Sequence, residues 1–238
     1  MSIRILQSGR ENSAARQEMK RQGVSCLKSS FSLRLRSLFK LPADYPCDPM
    51  KSWDVLNTIR LIEDMVPRDG AVLDLGAYRS EILPALHRKG YSRLCGIDLN
   101  PRVTRCLYSK RIRYATGNFY HTSFADRAFQ AATAVSAIEH GLDLDLLLKE
   151  VSRILAPGGV FVGSTDYWPE KIDCGDDRLF DLTWKIFDKE ELIAFVAQAE
   201  RHGLELLGTP AYEAKEQVVS YRGKHYTFAW FAFRQRFE

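Results

Sequence analysis

Two short stretches of the sequence place polar or small residues where a turn follows an apolar run. The segment AVLDLGAYRSE passes from apolar residues through Asp74 and Gly76 to Ala77 and Tyr78. Gly76 lets a ligand approach the backbone closely, and the small side chain of Ala77 keeps the turn open. Asp98 stands 22 residues after Gly76 in the segment GIDLNP. That spacing suits a carboxylate that accepts hydrogen bonds from both hydroxyls of a ribose.

A third stretch, TGNF, adds groups that could hold a purine ring. The side-chain carbonyl of Asn118 could accept a hydrogen bond from an adenine amino group. Leu99 and Phe119 could enclose the ring from its two sides. In this order and at this spacing, the three stretches predict an adenosine site.

The missing glycines of the first turn indicate which adenosine cofactor it holds. A dinucleotide needs the GxGxxG backbone amides for its pyrophosphate, but here Tyr78 and Glu81 fill the second and third glycine positions. Glu81 would also put a negative charge beside a phosphate. S-adenosylmethionine carries an ammonium and a sulfonium instead, and Asp74 could pair with that ammonium. The turn therefore favours S-adenosylmethionine over NAD.

The elements that must position these residues alternate between strand and helix. Apolar runs predict strands at AVLDLG, RLCGID, IRYATG, QAATAVS, VFVGST, LELLG and YTFAWFAF. Helices are predicted near 80–89, 101–108 and 142–155, over SWDVLNTIRLIEDMV with Ser52 as its N-cap, and over KEELIAFVAQAERHG. This order predicts an α/β fold, a Rossmann-like doubly wound seven-stranded sheet. It would be mostly parallel, with an antiparallel C-terminal strand pair.

Four motifs between residues 71 and 165 resemble the class I S-adenosylmethionine-dependent methyltransferases. They are VLDLGAYRSE, GIDLNP, GNFYHTSFADRAFQAATAVSAIEHG and LLLKEVSRILAPGGVFV. The set is similar to the small-molecule, methyltransferase type 11 or ubiquinone-biosynthesis-like group. The resemblance implies an enzyme with S-adenosyl-L-methionine as cofactor, lined by Asp74, Gly76, Ala77, Asp98, Leu99, Asn118, Phe119 and Ser136.

The sequence departs from that family at several positions. Tyr78 and Ser80 stand where further glycines are usual, and Asn118 replaces a frequent aspartate. Tyr78 is expected to lie in the cofactor site and to narrow it around the methionine tail. Related enzymes with an E-x-x-E-H pattern bind a divalent metal, but Ser136 replaces the first glutamate here, and no metal is expected.

Residues after the fourth and fifth predicted strands are the candidates for catalysis. Methyl transfer to oxygen needs a positioned nucleophile and usually a base. His140 is predicted to handle the proton, and Asp166 to orient or deprotonate a hydroxyl. The alternatives are a histidine satisfied by backbone and a turn aspartate.

An insert after the fifth strand, DYWPEKIDCGDDRLFDLTWKIFDKEEL, combines acidic and aromatic residues. It would suit a small polar acceptor, such as a sugar or a hydroxylated metabolite, methylated at oxygen. Alternatively, Trp184 and Phe187 simply pack the loop against the domain, and Trp53 belongs to the core.

Charge divides the chain unevenly. Residues 1–40 carry nine Lys/Arg and two Glu, a net +7, which leaves −3 for the rest of the +4 chain. We predict a basic N-terminal extension and linker over 1–50 and a methyltransferase domain over 51–238. The extension keeps two alternatives open, an RNA methyltransferase with a phosphate-tracking arm and a non-catalytic partner protein with this fold.

The composition also indicates the redox state of the cysteines, the absence of a long apolar run and the kinds of partner that are expected. The five cysteines form no CxxC pair and are expected to be reduced in a cytoplasmic protein. No apolar run reaches the ~18 residues of a membrane span. A nucleic-acid partner is not expected, and a homodimer is left open.

Overall fold

The structure is a computed structural model that describes residues 3–27, 47–179 and 182–237. Residues 28–46 of the predicted extension and linker lie outside the described residues. The described strands are β1 Ile3–Ile5, β2 Val72–Leu75, β3 Leu94–Asp98, β4 Arg113–Thr116, β5 Phe129–Val135, β6 Leu155–Tyr167, β7 Arg178–Leu179, β8 Leu182–Thr183, β9 Leu204–Leu206, β10 Val219–Tyr221 and β11 Lys224–Gln235.

Five α-helices lie within the described residues. They are α1 Gly9–Arg21, α2 Ser52–Met65, α3 Ile82–Arg88, α4 Leu144–Ile154 and α5 Lys189–Arg201. The predicted helix over 101–108 is instead a 3₁₀ helix at Pro101–Arg105, with Asn100 as its N-cap. Ser52 is not an N-cap. It is the first residue of α2, and its hydroxyl donates to the Pro49 carbonyl at 3.0 Å.

One twisted sheet organises the chain, with the strand order β1-β11-β6-β5-β2-β3-β4. The five strands from β6 to β4 are parallel, and β11 runs antiparallel to β6. The strand β9 pairs antiparallel with the end of β11, which confirms the predicted C-terminal antiparallel pair. Because the parallel strands all end at one edge, the polar residues after β2, β3, β5 and β6 lie at that edge.

Helices cover both faces of the sheet, as a doubly wound fold requires. One apolar cluster packs α1, α2 and α3 on one face, with Met19, Ile59 and Leu86 inside it. A second cluster on the other face includes Leu147 from α4 and Phe195 from α5. The helix α5 begins with a capping box in which Asp188 and Glu191 satisfy each other's backbone amides.

The described part of the basic N-terminal segment is packed into the same sheet. The strand β1 pairs antiparallel with β11, with Ile3 opposite Phe231. In α1, Asn12 accepts from the Trp53 backbone N–H at 2.9 Å and donates to the Pro49 carbonyl at 3.1 Å. The division at residue 50 stays a prediction, but residues 3–27 contribute a strand and a helix to the fold.

The insert after β6 also packs against the domain. Trp184 and Phe187 are both buried, and β7 and β8 form a two-stranded sheet. Along the described parts of the chain, no helix is long and apolar enough to cross a membrane.

Candidate functional site

The turn after β2 adopts a conformation that requires glycine at one position. Gly76 has a φ of 80°, and a Cβ there would lie 3.3 Å from the Cβ of Ala137. The backbone N–H groups of Gly76 and Ala77 both donate to the Ile97 carbonyl, at 3.0 and 3.1 Å. This turn therefore stays close to the end of β3, with its backbone open to a ligand.

Asp98, at the end of β3, connects two loops. Its Oδ2 accepts from the Tyr78 backbone N–H at 3.0 Å, and its Oδ1 accepts from the Asn100 backbone N–H at 2.7 Å. Each carboxylate oxygen has a second lone-pair direction, so both retain capacity for a ribose hydroxyl. The predicted ribose carboxylate thus also holds Tyr78 in place.

Asp74 is a buried carboxyl with one satisfied oxygen. Its Oδ1 accepts from the Thr133 hydroxyl at 2.5 Å. Its Oδ2 is buried and forms no hydrogen bond of ordinary geometry among the described residues, although the Ser80 side chain lies close enough to interact with the carboxylate. Burial raises the pKa of Asp74 to about 7, and hydrogen bonding with Ser80 and Thr133 opposes that rise. A buried polar atom in this state costs free energy, so a cation or donor ligand would stabilise it.

A cavity of about 630 Å³ opens at this edge of the sheet. The predicted site residues that line it are Gly76, Tyr78, Ser136, His140 and Asp166. A larger cavity, of about 870 Å³, lies between β1, α1 and α2, and no predicted site residue lines it. We therefore place the site in the smaller cavity, because the candidate chemistry converges there.

The other predicted cofactor residues do not line that cavity; they are Asp74, Ala77, Asp98, Leu99, Asn118 and Phe119. Leu99 is 50% exposed, whereas Phe119 is buried in the apolar cluster on the α4 and α5 face. Asn118 lines a separate cavity of about 210 Å³, and its Oδ1 accepts from the Tyr120 backbone N–H at 2.9 Å. The adenine-binding role of these three residues stays a prediction.

The charged side chains that line the 630 Å³ cavity include the partly buried Lys51 and the buried Glu139 and Asp166. The ammonium of Lys51 lies 3.4 Å from Asp166 Oδ1 and 3.4 Å from the centre of the Phe228 ring. Asp166 Oδ2 accepts from the Trp184 indole N–H at 2.8 Å. These contacts hold the Asp166 carboxylate in one orientation. They also explain why Trp184 is buried.

Glu139 and Asp54 are two further buried acids near Lys51. Burial raises the pKa of Glu139 to about 8 and that of Asp54 to about 7, while the Lys51 charge lowers both. Asp54 accepts from the Ser164 hydroxyl at 3.0 Å. Glu139 accepts a short hydrogen bond from the hydroxyl of Ser136, whose φ is 53°. We name Lys51, Asp54, Glu139 and Asp166 the buried charge cluster.

His140 lies beside the buried charge cluster and lines the same cavity. Burial lowers its pKa, whereas the nearby Asp166 charge raises it and Lys51 lowers it further. The net direction is downward, which favours the neutral imidazole near pH 7. A neutral imidazole can accept a proton.

Sequence reasoning missed Lys51 and Asp54 as site residues. Lys51 ends the 3₁₀ helix Pro49–Lys51, and Asp54 lies in the first turn of α2, where an acid is an ordinary helix feature. Nothing in the local pattern indicates that β6, more than 100 positions later, buries Asp54 against Ser164.

The sheet order, with its antiparallel β11 beside β6, and the glycine turn followed by Asp98 define the class I methyltransferase fold. A family model described as "Methyltransferase domain" matches residues 73–163, from β2 into β6. This match confirms the predicted class: these residues form a methyltransferase domain of the S-adenosylmethionine-dependent type.

Solved structures share the fold at low sequence identity. An S-adenosylmethionine-dependent methyltransferase from Methanosarcina mazei has a TM-score of 0.58 at 16% identity, covering 75% of this chain and 98% of that one. Geranyl diphosphate C-methyltransferase from Streptomyces coelicolor, solved with S-adenosyl-L-homocysteine, has a TM-score of 0.53 at 19% identity, covering 75% and 78%.

Curated relatives match over shorter stretches. A sterol 24-C-methyltransferase from Aspergillus fumigatus is 40% identical over 53 residues, which are 22% of this chain and 14% of the relative. The 24-methylenesterol C-methyltransferase 2 of Arabidopsis thaliana is 27% identical over 115 residues, 45% of this chain and 32% of the relative. The chain thus spans between about a seventh and a third of the length of these two relatives.

Proposed function

We propose that the chain transfers a methyl group from S-adenosylmethionine to a hydroxyl oxygen of a small polar acceptor, a sugar or a hydroxylated metabolite. The observation that carries this proposal is a single cavity with two unlike sides. The glycine turn at Gly76 and Tyr78 lines one side. On the other are His140 and Asp166, with Lys51 beside them.

The residues present fit the cofactor. The unsatisfied Oδ2 of Asp74 suits the ammonium of an amino-acid tail, and the Asp98 carboxylate suits a ribose. When bound, the cofactor supplies an electrophilic methyl group and leaves as a neutral thioether. Tyr78 lines the cavity beside the turn, where it narrows the space for the tail.

On the acceptor side, the chain's own residues position a hydroxyl and remove its proton. His140 in its neutral form accepts the proton as the oxygen forms its bond to the methyl carbon. Lys51 and Trp184 fix Asp166, which is then placed to accept a hydrogen bond from a second hydroxyl of the acceptor. Holding the oxygen near the methyl carbon supplies much of the rate.

The proposed acceptor is polar, whereas the acceptor named for the sterol-methylating relatives is apolar. The sterol enzymes are named for methylation at carbon, and a sterol is a large apolar molecule. The described lining here includes Lys51, Glu139 and Asp166. An apolar acceptor could not satisfy their remaining hydrogen-bonding capacity, such as that of the buried Glu139 Oε2, which has no hydrogen-bond partner among the described residues.

The decisive experiment measures cofactor binding and methyl transfer separately. Calorimetric titration with S-adenosylmethionine and its demethylated product tests the cofactor site. Methyl-labelled cofactor is then offered with sugars, hydroxylated metabolites, sterols and RNA. We expect binding of both cofactor forms and label transfer to a hydroxylated small molecule. Absence of binding by either form would favour a non-catalytic protein, and transfer only to sterol or RNA would overturn the acceptor class.

His140→Ala tests the proton acceptor. We expect kcat to fall by roughly 10²–10⁴-fold, the usual contribution of a general base, with the dissociation constant for the cofactor unchanged. His225→Ala is the matched control, because His225 is exposed and lies outside the cavity lining. Unchanged turnover in the His140 variant would remove that residue from the mechanism.

A further inference from the structure

Three metal-ligating side chains from separate segments meet beside the cavity. They are Cys26, which follows α1, Cys47, which precedes the 3₁₀ helix Pro49–Lys51, and Glu81, which precedes α3. Their two thiol sulfurs and a carboxylate oxygen all lie within 4.8 Å of one another. Neither the methyltransferase domain match nor the proposed methyl transfer accounts for this cluster.

All three residues are buried. Cys26 and Cys47 are 8% exposed and Glu81 is 4% exposed. Glu81 Oε1 accepts from the Cys26 backbone N–H at 3.2 Å. Within residues 3–27, 47–179 and 182–237, Glu81 forms no ion pair. The Glu81 carboxylate also interacts with the Cys47 side chain and with the charges of Arg88 and Arg16, but burial still disfavours its ionised form. A cation bound directly to the carboxylate would therefore stabilise it.

The donor set selects the kind of cation. Thiolate sulfur with one carboxylate oxygen suits a borderline-soft ion such as Zn²⁺, whereas Mg²⁺ and Ca²⁺ prefer oxygen ligands only. Tetrahedral zinc with Zn–S bonds of about 2.3 Å places two sulfurs about 3.8 Å apart. The observed cluster meets that spacing with small side-chain movements.

We propose that Cys26, Cys47 and Glu81 form a Zn²⁺ site. Cys47 and Glu81 also line the 630 Å³ cavity, so the fourth coordination position opens toward it. Three protein ligands with one open position is the arrangement of zinc sites that bind water or a substrate atom. The ion would also hold Cys26 and Cys47 against the start of α3. This proposal is independent of the proposed methyl transfer.

A disulfide between Cys26 and Cys47 is the competing chemistry. It would remove both thiolates and leave Glu81 buried without a cation. The two outcomes differ in composition, because a disulfide lowers the mass of the chain by two hydrogens, whereas a zinc site holds both sulfurs as thiolates that return as free thiols when the metal is removed.

The test uses the full chain, stripped with a chelator under reducing conditions and titrated with Zn²⁺ against a chromophoric competitor. We expect one equivalent bound tightly, with a higher midpoint of thermal unfolding. Cobalt substitution should give thiolate-to-metal charge-transfer absorption. Cys47→Ser and Glu81→Gln should each weaken binding by more than about 100-fold, a larger loss than outer-shell changes bring. Both variants are checked by circular dichroism, and Glu81→Gln keeps both thiols should Cys47→Ser fail to fold.

Cys174→Ser is the matched control, since Cys174 is 8% exposed and lies outside the cluster. It should bind Zn²⁺ as the natural chain does. The proposal is overturned if no stoichiometric zinc binds, if Glu81→Gln and Cys47→Ser bind zinc normally, or if the chain is isolated with the Cys26–Cys47 disulfide.

Discussion

At the scale of single residues, Asp74 connects the cofactor assignment to a measurable titration. One of its oxygens accepts from Thr133, and the other forms no hydrogen bond of ordinary geometry in the described chain. Burial raises its pKa to about 7. Its charge therefore changes within the pH range in which the protein would be assayed. The binding affinity for a ligand with an ammonium group should therefore depend on pH in that range.

We expect S-adenosylmethionine to bind more weakly as the pH falls below 7, because protonated Asp74 cannot pair with an ammonium. The loss should approach roughly tenfold for each pH unit. Calorimetry at about pH 5.5 and about pH 7.5 measures it. Asp74→Asn should bind weakly at both values. An equally steep pH dependence in that variant would assign the effect to another group.

Asp98 and Tyr78 show how far single residues could be predicted. The position of Asp98 at a strand end follows from the parallel sheet, so its place near the first turn was predictable. Its bond to the Tyr78 backbone N–H depends on the turn conformation and was not. The contact of Lys51 with Asp166 could not be predicted from the local sequence either, because only the packing of α2 against β6 brings the two residues together.

At the scale of elements, the short strand β1 belongs to the sheet because it pairs with the long strand β11. Three residues pair with the middle of β11, and the side chains of Ile3 and Ile5 are buried. Three residues are too few to show the alternation of apolar and polar side chains that predicts a strand. The long strands β5, β6 and β11 were predictable, because each has a long apolar run.

If β1 belongs to the folding unit, Ile5→Ala should lower the free energy of unfolding by about 2–4 kcal/mol, as buried truncations do. Urea denaturation followed by circular dichroism measures this change. Arg10→Ala, an exposed change on α1, should stay within about 0.5 kcal/mol of the natural chain. Equal midpoints for the two variants would instead support a separable extension over 1–50.

At the scale of the whole molecule, three buried acids make stability depend on pH. The pKa values of Asp54 and Asp74 are raised to about 7, and that of Glu139 to about 8. In the unfolded chain these groups ionise near pH 4. Between about pH 4 and pH 8 the folded state therefore holds more protons, and these groups lower the free energy of unfolding as the pH rises. The lowered pKa of His140 acts in the opposite direction at pH values up to about 6.5.

Asp54→Asn tests this dependence, because the amide cannot ionise and retains an acceptor for Ser164. We expect the variant to lose less stability between about pH 5 and about pH 8 than the natural chain. Urea midpoints across that range give the comparison. Glu216→Gln changes an exposed acid and should follow the natural curve. If Asp54→Asn follows it too, Asp54 does not contribute to this dependence.

The pairing of β1 with β11 constrains the order of events during synthesis. Position 3 pairs with position 231, so β1 must wait for a partner strand that is synthesised 228 residues later. The parallel strands from β2 to β6 can associate while the chain is still being made. The β1–β11 pair cannot form before β11 has emerged from the ribosome. Until then, the buried face of β1 and its helix α1 need temporary protection from aggregation, so we expect a nascent chain halted before β11 to engage chaperones.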